Sequence, residues 1–130
     1  MKEIQIGAKL KVDSKAAESL LACAMGSGEL PVYATPAMAA LMENAAATLL
    51  KNFLDEGETS VGIRLNLAHT SATPKDAKVW AEAEITAVDR KKVTFSVKAY
   101  DETGEIGSAE HDRFVVDAEK FLAKANAKLQ

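Results

Sequence analysis

Thr35, Glu43 and His69 put a hydroxyl, a carboxylate and an imidazole into stretches that otherwise read as apolar layers, and such a trio is the raw material of acyl transfer. Glu43 falls about 140° round a helical wheel from Met38, between Leu50 near 120° and Leu54 near 160°, so its neighbours are apolar. An acid there is either a general base or an acid on an amphipathic border whose head reaches water. His69 shares the parity of Val61, Ile63, Leu65 and Leu67, so on an extended strand its ring turns to the core side with them. Taken singly it reads first as a satisfied core or rim histidine; beside Glu43 it becomes a proton-transfer residue held in one tautomer. Thr35, just before Pro36, is explained structurally as a helix N-cap. Its functional reading is a nucleophile or positioning hydroxyl at a helix start, where free N–H groups and the dipole suit a developing oxyanion. Eight helical residues rise about 12 Å, so Thr35 and Glu43 of one chain do not touch directly. Either His69 or a group from a second protomer bridges them, or the first turn is irregular.

The elements that must hold these residues follow from hydrophobic period. Residues 4–12 alternate apolar and polar around Gly7 and read as a first strand. A short helical stretch at residues 15–24 runs into Met25-Gly26-Ser27-Gly28, which reads as a covering loop. From Thr35-Pro36 a long helix is predicted to run to about Leu54, with Met38, Met42, Ala45, Leu49 and Phe53 in one stripe, widened by Ala39, Ala46, Leu50 and Leu54. The period then changes to two, with Val61, Ile63, Leu65 and Leu67 alternating against Gly62, Arg64 and Asn66. Further strands are predicted at 77–88, 93–100 and 105–116, joined by short charged turns, an order that implies an antiparallel meander. A last helix from near Asp117 carries Ala118, Phe121, Leu122, Ala125 and Leu129 on one face and closes the chain. Strand, long helix, then four strands is an α+β order, in which the helix lies against the apolar face of the sheet. Edge strands of such a sheet are removed by pairing two protomers edge to edge, so a homodimer is expected.

Bulk properties set the limits. The 130 residues fit one domain, with 48% hydrophobic and 27% charged residues and neither an 18-residue apolar run nor a basic leader, so a soluble, unprocessed, cytoplasmic chain is expected. A net charge of −3 supplies no overall basic field, and nucleic acid is an unexpected partner. The single cysteine, Cys23, has no patterned base and reads as a packed thiol. The histidines and acids show no metal-ligand spacing, and Gly26-Ser27-Gly28 lacks a phosphate-loop lysine, so neither metal nor cofactor is expected. Gly62 inside a strand marks a bulge or a close backbone approach. Arg113, between Asp112 and Phe114, reads first as a local partner of Asp112 or Glu110, and second as a cation for an anionic ligand.

Together these residues resemble the hot-dog-fold thioesterases, and within them the fluoroacetyl-CoA thioesterase-like group. The resemblance covers residues 32–128 and rests on Tyr33-Ala34-Thr35-Pro36, Leu41-Met42-Glu43, Val61-Gly62, His69-Thr70 and Ala72-Thr73-Pro74. Towards the end it continues through Glu105-Ile106-Gly107-Ser108, His111-Asp112-Arg113 and Glu119-Lys120-Phe121. It implies a hot-dog homodimer with active sites near the interface, hydrolysing an acyl-CoA to a free acid and coenzyme A, which enters as part of the substrate. It further implies Thr35, Glu43 and His69 as a catalytic triad, Gly62 as a backbone contact to the thioester and Arg113 as a substrate-side contact. Which residue attacks the carbonyl, or directs a water, stays open at this point. The chain departs from the fluoroacetyl-CoA enzyme in residues 19–33, which hold no phenylalanine, so the resemblance does not extend to fluorine selectivity. A non-catalytic acyl-CoA binding module on the same fold is the alternative reading; a dehydratase would need an acid–histidine pair of its own. The chain's own negative charge favours free coenzyme A over an acidic carrier protein.

Overall fold

Why the helix and sheet meet as they do is visible in the computed structural model, which describes residues 1–129. One sheet is built from β1 (Lys9–Lys15), β2 (Glu58–His69), β3 (Lys78–Asp89), β4 (Lys92–Asp101) and β5 (Gly104–Asp117), ordered β1-β3-β4-β5-β2. All neighbours are antiparallel. A simple meander is therefore found only over β3, β4 and β5, whereas β2 lies beside β5. Residues 70–77 are too long for a tight hairpin and carry the chain across the β4–β5 end of the sheet to β3. β1 and β2 are the two edges.

The long helix, α2 (Thr35–Lys51), buries Ala37, Met38, Leu41, Met42, Ala45, Ala46, Leu49 and Leu50, close to the predicted stripe. It ends three residues earlier than expected: the Asn52 and Phe53 N–H groups donate to the Leu49 and Leu50 carbonyls, tightening the last turn. Under it lie Val79, Ala81, Ala83 and Ile85 of β3 and Val93, Phe95, Val97 and Ala99 of β4, where the alanines admit the helix backbone. The first strand begins later than predicted. Residues 4–8 are tied to Ile85 by backbone bonds but lie outside β1, with Gly7 at a φ of 94° breaking the run. Residues 15–24 are not one helix; Lys15 ends β1, and only short turns at Glu18–Leu20 and α1 (Ala22–Met25) follow, because Ala16 donates to the Ala77 carbonyl instead of entering a helix.

α3 (Ala118–Asn126) forms as predicted, capped by Asp117, whose carboxylate accepts from the Lys120 N–H at 3.0 Å. It does not close the core, however: it buries no residue, and Phe121 and Leu122 are 45% and 60% exposed. Cys23 is likewise exposed, not packed. No helix among the described residues is long and apolar enough to cross a membrane.

The crossing segment is pinned by a buried network. Thr73 donates to Asp101 at 2.8 Å, and the Thr103 N–H and hydroxyl donate to the other Asp101 oxygen at 2.9 and 2.6 Å. Burial by itself would raise Asp101, but these donors outweigh it and hold the carboxyl below the ordinary carboxylate value. Asp101→Ala is expected to cost about 3 kcal/mol in denaturant unfolding, since it orphans buried donors, with a smaller loss for Thr73→Val. The sign follows from the lowered pKa: Asp101 stabilises above the ordinary carboxylate range, and that contribution is lost as pH falls through its folded value.

Candidate functional site

Register explains how the fold builds the site. β2 carries a bulge: Gly62 pairs with Arg113 and Arg64 with Asp112, leaving Ile63 as an extra residue. Parity changes there. Ser60 and Gly62 face the helix before the bulge, and Leu65, Leu67 and His69 after it. Val61 and Ile63, expected inward, turn away, and Ile63 is 52% exposed on the edge strand. The predicted inward His69 holds because it lies beyond the bulge, on the same parity as Leu65.

At the far end of β2, His69 is paired in register with Gly107. A Cβ on Gly107 would come within 2.7 Å of Met38 Sδ and of the Ala68 carbonyl oxygen. That bare backbone lets the first turn of α2 settle against the end of β2 and brings Thr35 to His69. Thr35 is not the N-cap. Ala34 takes that place, Pro36 follows Thr35 inside the first turn, and no side chain caps the helix. The Thr35 hydroxyl is thereby released, and its Oγ1 lies 2.7 Å from His69 Nδ1.

His69 Nε2 is buried and has no hydrogen-bond partner among the described residues. Burial pushes the imidazole below its ordinary value, the Ser71 backbone opposing it. A neutral ring that accepts from Thr35 at Nδ1 carries its proton on Nε2, where an acceptor is missing. Tyr33, 2% exposed, packs edge-on to the ring at 6.5 Å between centroids, and burial pushes its phenol up to about 12. A cleft of about 280 Å³ opens on the pair, with Ser27, Ser71 and Ala22 on its walls.

Glu43 lies elsewhere. Its side chain is 43% exposed, and Oε2 stands 3.7 Å from Arg113 Nη1, directly over Gly62: a Cβ on that glycine would meet Oε2 at 2.5 Å. So the close approach predicted for Gly62 is made by Glu43. Arg113 does not pair with Asp112 or Glu110. Adjacent residues of a strand face opposite ways, and the outward acids are taken by Arg64, at 3.3 Å from Asp112 and 2.7 Å from Glu110. Arg113, only 7% exposed, turns to the helix side and donates through Nε to Ser60 Oγ at 2.8 Å and through Nη2 to the Ser60 carbonyl at 3.0 Å. Burial lowers its pKa, while Glu43 raises it.

One chain thus holds two half-sites: Thr35 with His69 at one end of β2, and Glu43 with Gly62 and Arg113 near the other. Roughly 23 Å of strand separates Gly62 from His69. Sequence reasoning gave no role to Ser60, Tyr33 or His111. The last is fully buried between Arg64 and Arg113, and the signal for it was its inward parity with Arg113, two residues on. No group of His, Cys, Asp and Glu with metal-binding geometry occurs among the described residues.

Known proteins are similar to this chain in sequence and in fold. Residues 6–119 match the family model described as fluoroacetyl-CoA-specific thioesterase. A fluoroacetyl-CoA thioesterase from Streptantibioticus cattleyicolor is 39% identical over 97 residues, covering 75% of this chain and 70% of that protein. A solved structure of the fluoroacetyl-CoA thioesterase FlK superposes with a TM-score of 0.92 at 32% identity, over 98% of each chain. A hot-dog-like protein from Thermanaerovibrio acidaminovorans shares the fold, with a TM-score of 0.87 at 21% identity over 96% of this chain and 93% of that one. The α+β fold is the hot-dog fold that the sequence implies.

Proposed function

This chain belongs to the fluoroacetyl-CoA-specific thioesterase family, and on that premise we propose that it hydrolyses a small or medium acyl-CoA to a free acid and coenzyme A. The observation that carries the reading is the Thr35–His69 pair, with the hydroxyl 2.7 Å from Nδ1 and Nε2 lacking an acceptor. The neutral ring takes a proton at Nδ1 from the attacking oxygen, which bonds to the thioester carbon. The C–S bond then breaks, and the imidazolium returns the proton to the leaving sulfur. One water is consumed overall. The first turn of α2 places the positive end of its dipole beside the oxyanion, and the Gly62 backbone and Arg113 contact the acyl group.

The acceptor missing at Nε2 is Glu43 of a second copy. β2 is a long edge strand, paired with β5 on one side and with no strand on its outer side among the described residues. Antiparallel pairing of two β2 edges about the middle of the strand brings the Gly62 end of each towards the partner's His69 and so brings Glu43 to that ring. The homodimer completes a Thr35–His69–Glu43 triad that one chain leaves divided. Coenzyme A enters as part of the substrate, in the cytoplasm, and no other cofactor is assigned.

Thiol release from acetyl- through long-chain acyl-CoAs tests this directly. Turnover on the shorter members is expected; saturable binding with no release would leave an acyl-CoA binding module instead. Trapping with hydroxylamine separates a Thr35 ester from direct attack by water. A further expected outcome concerns Gly62→Ala: the added methyl meets the end of the flexible Glu43 side chain, which swings away, and stands 3.2 Å from the His111 ring, which gives by a few tenths of an ångström. Turnover should fall about tenfold or more with little change in Tm; equal activity would remove Glu43's position over Gly62 from the mechanism.

A further inference from the structure

We propose that His111 is a positioning residue, whose ring holds the Arg113 guanidinium over Gly62, towards the acyl end of the substrate, through a neutral acceptor that adds no counter-charge beyond that of Glu43. The inference rests on the reading of Arg113 as a substrate contact. His111 Nδ1 lies 2.7 Å from the Arg64 carbonyl oxygen on the bulged stretch of β2. A carbonyl only accepts, so Nδ1 carries the proton and Nε2 presents its lone pair. Arg113 Nη1 donates to that nitrogen at 3.2 Å.

Each close partner of the guanidinium is neutral: Ser60 Oγ, the Ser60 carbonyl and His111 Nε2. The nearest carboxylate, Glu43, stands at 3.7 Å, beyond hydrogen-bond reach. The cation is therefore fixed by neutral hydrogen-bond partners, and Glu43, ion-paired with Nη1 at 3.7 Å, is its one close counter-charge among the described residues. A carboxylate at position 111 would add a second counter-charge, and an imidazolium there could not accept. The ring edge also walls the space over Gly62, with Cε1 3.2 Å from where a Cβ on that glycine would stand. Arg113 and Glu43 are the charged groups facing the ring, while Arg64 and Asp112 lie paired on the other side of the sheet. Burial pushes His111 below the ordinary imidazole value, and Arg113 adds to the effect against the Arg64 carbonyl, Glu43 and Asp112.

The test compares His111→Gln, whose amide oxygen can take the place of Nε2, with His111→Asn, which reaches only the Nδ1 position, in the full-length protein. Nitrogen NMR of the parent, which has two histidines, should show one fixed as the neutral Nδ1–H form, and that signal should vanish in both variants. The Arg113 Nη1–H resonances, which donate to position 111, should stay slowly exchanging in the Gln variant and exchange fast in the Asn variant. For the best acyl-CoA, His111→Asn should raise KM about tenfold or more, with His111→Gln recovering most of the loss. An Nε2-protonated ring, or Gln and Asn variants with the same Arg113 exchange, would overturn the inference. Absence of turnover in the parent would overturn the thioesterase reading alone, because the NMR arms decide the ring's role without substrate.

Discussion

Thr35→Ala and Glu43→Ala are each expected to lose about 100- to 10,000-fold in turnover, and co-expressing the two variants is expected to restore about a quarter of the parental activity. The restoration follows from where the residues lie. Thr35 and His69 share one end of β2, whereas Glu43 hangs over Gly62 near the other, so no single chain presents the trio at one point. In a two-fold dimer paired through β2, each site draws its hydroxyl and imidazole from one protomer and its carboxylate from the other. A mixed dimer then holds one site carrying both lesions and one carrying neither. Random assembly makes about half the dimers mixed, each with one working site of two, hence the quarter. If all three residues acted within one chain, mixed dimers would be as inactive as either variant alone. Light scattering on the same sample supplies the second check, since a monomeric mass would leave the outer edge of β2 unpaired and remove the shared site.

Much of this arrangement is legible in the sequence, and the parts that are not have a common cause. Period 3.6 found α2 and its buried stripe, and period two found the strands, because each pattern reflects burial of one face. Neither pattern reports which strand lies beside which. β2 therefore looked like the first member of a meander, while the crossing at residues 70–77 sets it against β5. Parity also fails where a residue is inserted: the bulge at Ile63 turns Val61 outward and Gly62 inward, which alternation could not foresee, although a glycine inside the strand was the hint. Arg113 shows the same limit from the other side. Its neighbours in sequence are acids, but a strand points neighbours apart, and its real partners come from Ser60 and His111. Thr35 was ambiguous for a different reason. A threonine before proline satisfies the rules for a cap, and only the distance to His69 shows the hydroxyl engaged elsewhere.

The titration of His69 should separate the isolated ring from the completed triad, and its direction is fixed by elementary electrostatics. Within one chain, burial is the larger influence and lowers the imidazole from its ordinary 6.5. A carboxylate brought to Nε2 works the other way, because it favours the imidazolium. Glu43→Gln is therefore expected to move the His69 titration, followed by NMR, to lower pH than in the parent. In the variant the folded pKa lies below the unfolded one, so the histidine's contribution to stability is present above pH 6.5 and is lost as pH falls through the folded value. In the parent, a carboxylate strong enough to lift the pKa above 6.5 would reverse that dependence: the contribution would be complete below 6.5 and lost as pH rises through the folded value. Melting curves of the two proteins across that range should then diverge in slope. Identical titrations would mean that Glu43 never reaches the ring, which would leave Thr35 and His69 as a dyad and assign the carboxylate to Arg113 alone.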